Sequence, residues 1–178
     1  MSTLGPGTYV LILFLKQHRS IAVGKLGKIG FPPGYYAYVG SAFGPGGLAA
    51  RLKHHLFSDA RPHWHIDYLR RQAKTEQLWL TEFNQPLEHS WASVLEQFSN
   101  SAQAFRGFGC SDCKCPSHIF YFPGPPPFKR FRESADKTVE SNGRIRQFLL
   151  NERRMPCPTD NTIPISFRNS PKDITSSA

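Results

Sequence analysis

Residues 7–16 read GTYVLILFLK, with no polar side chain between Thr8 and Lys16 except the phenol of Tyr9. A run of Val, Leu, Ile and Phe this continuous is the mark of a strand buried on both faces. It is also far too short to span a membrane, and no other run comes closer. A strand of that kind sits inside a sheet, so the rest of the chain is read for the elements that surround it.

QHRS (17–20) reads as a turn, and IAVGKLG (21–27) as a second strand that could pair back on the first. FPPG (31–34) breaks the chain before a third strand, YYAYVGS (35–41). After the glycine-rich FGPGG (43–47), LAARLKHHLF (48–57) has Leu48, Leu52 and either His55 or Leu56 at helical spacing. HWHIDYLRRQA (63–73) predicts another helix, with Ile66, Leu69 and Ala73 inward. TEQLWLTEF (75–83) alternates as a strand, PLEHSWASVLEQF (86–98) is an amphipathic helix opened by a proline, and HIFYF (118–122) is a short last strand. The expected architecture is a small α+β domain over residues 5–123, within the usual size of a domain. Beyond GPPP (124–127) the chain turns polar and basic. There GRIRQFLLNERR (143–154) predicts one short amphipathic helix, and the Pro/Ser-rich remainder of the tail, 124–178, is expected to be mostly disordered.

Charge narrows the partner. The 178 residues carry 22 Lys and Arg against 13 Asp and Glu, a formal net charge of +9. The excess is shared: 12 basic against 7 acidic residues up to position 124, and 10 against 6 beyond it. A surplus of this size favours polyanions through counterion release, so nucleic acid is the natural partner class, and with no run long and apolar enough to span a membrane none is expected as a partner. The first residues lack the charged-then-apolar pattern of a secretory signal, which leads us to expect a cytoplasmic protein. In that compartment four cysteines point to metal binding or free thiols, not disulfides.

Five residues form a coherent set for phosphodiester chemistry. Tyr9 and Tyr38 lie in strands that could be neighbours. Arg51 and His55 are four apart and share a helix face. Glu88 opens a later helix and could supply a hard oxygen ligand to a divalent cation. A phenol or imidazole can take or relay a proton, a guanidinium binds phosphate in a planar fork, and a metal offsets charge on the leaving oxygen. Taken singly, each has an ordinary structural reading: buried strand tyrosines, a solvated helix arginine, and a glutamate at a helix start.

The order G-T-Y (7–9), Y-V-G (38–40), Arg51, His55 and Glu88 resembles the GIY-YIG nuclease superfamily. The stretches GTYVLILFL, FPPGYYAYVGSA, GLAARLKHHL, HWHIDYL and GFGCSDCKCPSHIFYF resemble a compact uncharacterised branch of it, sometimes fused to endonuclease III-type DNA glycosylases. The resemblance implies a small antiparallel sheet flanked by helices. It also implies an endonuclease that hydrolyses DNA phosphodiesters with Mg²⁺ (or Mn²⁺), with DNA repair as the expected setting. On it, Tyr9 and Tyr38 are the motif tyrosines and base or relay, Arg51 the helix arginine, His55 its companion one turn on, and Glu88 the metal ligand, with Glu82 as a competitor. Arg51, Lys53 and His65 are the nucleic-acid contacts. The first motif is GTY in place of GIY, and three glycines (Gly44, Gly46, Gly47) lengthen the path to Arg51.

Other polar residues stay open at this level. His63 and Asp67 could share a helix face as ligands, and HxH at a helix start is equally a phosphate-contacting or packing element. Cys110, Cys113, Cys115 and His118 spell C-x-x-C-x-C-x-x-H, a candidate structural zinc loop or else reduced thiols. Cys157 lies in the tail and is expected to be an idle thiol. The rival readings are a nucleic-acid-binding module that keeps the scaffold without cleavage, and a zinc-loop protein-interaction domain.

Overall fold

The structure is a computed structural model, and it describes residues 4–99, 105–110, 113–138 and 143–150. Strands β1 (Gly7–Leu15), β4 (Gly34–Ala42), β5 (Lys74–Thr81), β6 (Ile119–Phe122) and β7 (Arg146–Leu149) make one antiparallel sheet in the order β6-β4-β1-β5-β7. A separate hairpin joins β2 (Arg19–Ala22) to β3 (Lys28–Phe31) across a 3-10 turn, Gly24–Leu26. The helices are α1 (Gly47–Phe57), α2 (His65–Arg70), α3 (Glu88–Phe98) and α4 (Phe128–Thr138). The expected α+β class, an antiparallel sheet flanked by helices, is what the chain forms.

β1 is the middle strand, and the sheet is covered on both sides. Tyr9, Leu11, Leu13 and Leu15 join one core with Tyr36, Tyr38, Leu48 and Leu52, completed by Ile66, Leu69 and Phe108. Val10 and Ile12 join a second core with Ala37, Val39, Trp79, Trp91 and Phe131. Successive side chains of a strand point to opposite faces, so two apolar layers require the unbroken run that begins the chain. The same fact removes the expected pairing of residues 21–27 on β1. Both edges of β1 are taken, by β4 and β5, and β2 pairs with β3 instead.

The domain does not stop at 123. In α4, Phe131 and Ala135 lie four apart and are buried, with the Phe131 ring centroid 4.9 Å from that of Trp79 and 5.2 Å from that of Trp91. β7 then pairs with β5 from Gln77↔Leu149 to Leu80↔Arg146. The helix expected over 143–154 is thus a strand as far as Leu149. Ile145, Phe148 and Leu149 fit a helical spacing as well as a strand, and the open edge of β5 decides between them. The end of that predicted helix, Cys157 and the tail beyond 150 lie outside the described residues.

Candidate active site

One end of the sheet gathers the polar residues. It is the end where β1 begins, β4 finishes and β6 starts, flanked by α1 and the first turn of α3. Register brings the two sequence motifs together, because Tyr9 pairs with Gly40. A Cβ on Gly40 would lie 2.4 Å from the Tyr9 hydroxyl oxygen, so the glycine of YVG is the floor on which the phenol lies. The threonine of GTY also has a use: buried Thr8 accepts the Leu87 N–H at 3.0 Å and ties the start of α3 to β1.

Tyr9 Oη is 2.8 Å from His55 Nε2. The spacing of α1 left open whether His55 or Leu56 faces inward, and the buried residues are Leu48, Leu52 and His55. The imidazole is accepted there because both nitrogens meet polar groups. Nδ1 faces Asp67 Oδ1 at 3.4 Å, an ion-pair contact longer than a good hydrogen bond. With Nε2 accepting from the phenol, Nδ1 carries the proton, and it faces the carboxylate without the alignment of a hydrogen bond.

Asp67 is the residue that the sequence undervalued. Instead of sharing a metal with the His63 ring, it is fully buried and organises the space between α1 and α2. Its Oδ2 accepts the N–H groups of His63 (2.9 Å) and Trp64 (3.0 Å) and contacts His54 Nε2 (3.1 Å), and its Oδ1 accepts from Arg70 Nε (3.0 Å). Burial pushes its pKa up, but the His55 ring beside it and the bonds from Trp64, His63 and His54 outweigh that and hold the carboxyl well below the usual range. For His55, burial dominates and lowers the pKa despite Asp67, so the ring is neutral near pH 7. Burial raises the Tyr9 and Tyr38 phenols well above their ordinary value; the charge of Arg51 opposes the shift in both, and Glu88 adds to it.

Arg51 sits with its guanidinium carbon 4.1 Å from the centre of the Trp64 ring, a cation–π seat. An open cavity of about 180 Å³ lies between the Gly44–Gly47 segment, Ala50 and Trp64, with Arg51 in its wall. The glycine segment is what makes the turn into α1. Gly46 and Gly47 have φ of 80° and 55°, and a Cβ on Gly47 would meet the Gly5 carbonyl oxygen at 2.6 Å.

Glu88 closes the site from the other side. Its Oε2 accepts from Ser41 Oγ at 2.6 Å, and its Oε1 lies 2.6 Å from His118 Nδ1, a contact without the alignment of a hydrogen bond. Burial raises its pKa, but His118 and Ser41 win and keep it below the ordinary value, hence ionised. Its competitor Glu82 is elsewhere, accepting the Gly5 N–H and pairing with Arg146 beside β7.

The five catalytic candidates are therefore brought to one place, but not all reach the surface. Tyr9 is wholly shielded, Tyr38 is 5% exposed and His55 2%, whereas Arg51 and Glu88 are partly open. Lys53 is half-buried on α1. His65 is half-buried too; its Nδ1 accepts the Gly109 N–H at 3.0 Å and its ring packs on Phe108, so it braces the 105–110 loop. Residues that sequence reasoning passed over are Ser41, Trp64 and His89. Only His89 had a local signal, a histidine directly after the glutamate of a helix start.

A single ionised carboxylate with a free lone pair on each oxygen and partial exposure fits a hard cation such as Mg²⁺ that keeps most of its waters. The cysteine loop is arranged differently from the spacing alone. Donor atoms of His89, Cys113, Cys115 and His118 all lie within 4.8 Å of one another. Cys110 is outside that group and donates to the Phe108 carbonyl at 3.4 Å. A second grouping, His54, His55 and Asp67, is the set of contacts around Asp67 just described.

A family model described as a domain of unknown function, DUF123, matches residues 8–140. No curated protein and no solved structure matches the chain.

Proposed function

The chain belongs to the DUF123 family, and from that premise we propose that it is a GIY-YIG-like endonuclease that hydrolyses phosphodiester bonds of DNA. The observation that carries this reading is the linked set Tyr9–His55–Asp67, with Arg51 beside the phenol and Glu88 across from it. Such a set has a proton path, a phosphate anchor and a cation ligand in one place, and a purely structural site needs none of these together. The net charge of +9 suits a nucleic-acid substrate.

A phosphate enters the cavity at the Gly44–Gly47 segment and draws the Arg51 guanidinium from its seat on Trp64. That movement uncovers the Tyr9 phenol. As water attacks phosphorus and the bond from phosphorus to the leaving sugar oxygen breaks, Tyr9 takes the proton of the water and passes its own to His55 Nε2. Asp67 offsets the imidazolium that results, and the leaving oxygen takes a proton from solvent. Of the two motif tyrosines, Tyr9 is the one with a proton acceptor at hydrogen-bond distance. Arg51 balances the charge growing on the phosphate oxygens. Glu88 would hold Mg²⁺, which supplies Lewis acidity at the phosphate and leaving oxygens.

Incubating the protein with branched and nicked DNA and Mg²⁺ tests the reading. Tyr9→Phe, Arg51→Ala and Glu88→Ala are each expected to lower cleavage by roughly 10²–10⁴-fold, the usual range for a proton-transfer or charge-stabilising group. The shielding and raised pKa of both phenols favour a second reading, a binding module without cleavage. Salt-sensitive DNA binding with no metal-dependent cutting on any substrate would establish that one and remove the first.

A further inference from the structure

We propose that His89, Cys113, Cys115 and His118 form a closed tetrahedral site for Zn²⁺, and that Glu88 is the outer partner orienting its His118 ligand. The proposal stands apart from the nuclease reading, although it shares Glu88 with it. The four donors come from two places far apart in sequence, the first turn of α3 and the segment leading into β6. Two of their separations are given by direct contacts: His89 Nδ1 to Cys115 Sγ is 3.0 Å, and His118 Nε2 to Cys113 Sγ is 3.4 Å. Zinc bonds of about 2.0 Å to nitrogen and 2.3 Å to sulfur place tetrahedral donors roughly 3.3–3.8 Å apart. The group therefore needs only small shifts to surround an ion.

Chemistry favours zinc. Two thiolates and two imidazoles make a soft, nitrogen–sulfur set that hard cations avoid, and four protein ligands leave no position for substrate, the pattern of a structural centre. His118 is buried, Cys113 and Cys115 are half-buried, and His89 is exposed, so the ion has a way in from solvent. The two nitrogens of His118 divide the work. Nε2 faces Cys113, and Nδ1 is 2.6 Å from Glu88 Oε1. A metal on Nε2 fixes the proton on Nδ1, beside the carboxylate, and a small turn of the ring would align it as in the usual outer-sphere arrangement of a ligating histidine. The zinc centre thereby also holds Glu88, whose other oxygen accepts from Ser41. This ligand set replaces Cys110, expected from the spacing, with His89.

Full-length protein purified without added metal is expected to contain one zinc per chain by elemental analysis. Co²⁺ loaded after chelation should give the visible bands of a tetrahedral ion with thiolate charge-transfer intensity. Cys113→Ser and His89→Ala should abolish that spectrum, and Cys110→Ser should retain it. Should His89→Ala fail to fold, His89→Cys provides the same check by adding the charge-transfer intensity of one more thiolate. Glu88→Ala is expected to keep the tetrahedral spectrum while weakening zinc about 10–100-fold in competition with a chromophoric chelator. No stoichiometric metal and no tetrahedral Co²⁺ spectrum in the wild type overturns the site. Loss of the bands in Cys110→Ser, or no added intensity in His89→Cys, overturns the ligand set, and unchanged affinity in Glu88→Ala overturns the role of Glu88. Because none of these readouts uses DNA, a chain that binds Co²⁺ in this way yet cuts nothing leaves the zinc site standing and removes only the nuclease reading.

Discussion

Gly40 shows how a single absent side chain makes the site. The Tyr9 phenol lies across it, close enough that a methyl group would fall 2.4 Å from the hydroxyl oxygen. The phenol is held from its far end by His55 at 2.8 Å, so it cannot simply turn aside without leaving a buried imidazole nitrogen unpaired. Gly40→Ala is therefore expected to cost about 1–3 kcal/mol, as overpacking of a tight core does, and to displace the one hydroxyl on which the proposed relay depends. Thermal unfolding measures the first effect and the cleavage assay the second. Unchanged stability would mean that the phenol has room this structure does not show. The motif YVG was recognisable in the sequence, but the reason for its glycine was not, because it lies in the register Tyr9↔Gly40 between strands.

Among the elements, α4 carries the folded unit past residue 124. Its polar composition reads as a tail, yet Phe131 is wholly buried against Trp79 on β5 and Trp91 on α3. Two large aromatic rings facing it mean that a truncation to alanine leaves a cavity that cannot easily collapse. Phe131→Ala is expected to destabilise the fold by about 3–5 kcal/mol, seen as a lower midpoint in chemical denaturation. A change under about 0.5 kcal/mol, typical of a surface position, would return α4 to the status of an appendage. The element was hidden because only Phe131 and Ala135 of its eleven residues are buried. A helix laid on the outside of an already covered sheet needs no more than a narrow apolar stripe.

At the scale of the whole molecule, the buried charges set how the fold answers acid. His55 has a lowered pKa in the fold, so below its ordinary 6.5 the unfolded chain takes up the proton more readily. Stability is then lost as pH falls from about 6.5 toward the depressed value. Asp67 also has a lowered pKa, so its contribution is present above its ordinary 3.8 and is lost as pH falls below that. Both groups act in the same direction, in two successive windows. Urea midpoints measured from about pH 8 down to pH 3 should be level at the top, decline below about 6.5, and fall more steeply below about 4. His55→Gln should remove most of the first decline and leave the second. A variant with an unaltered first decline would assign it to other histidines, of which His65 also has a burial-lowered pKa.

The sequence by itself determined the middle strand and the α+β class, because periodicity is a local property that survives without coordinates, and the resemblance in motif order named Tyr9, Tyr38, Arg51, His55 and Glu88 as candidates. It could not place Asp67 against His55, bring His89 beside Cys113, Cys115 and His118, or add α4 and β7 to the domain. Each of these is a contact between segments remote in the chain: α1 with α2, α3 with the 113–118 segment, and β5 with β7. Such choices depend on which donors, edges and faces remain unpaired once the rest has packed. A buried carboxylate collects the N–H groups around it, a soft donor set forms from whichever ligands the fold brings within reach, and an open strand edge selects the next segment that can pair with it.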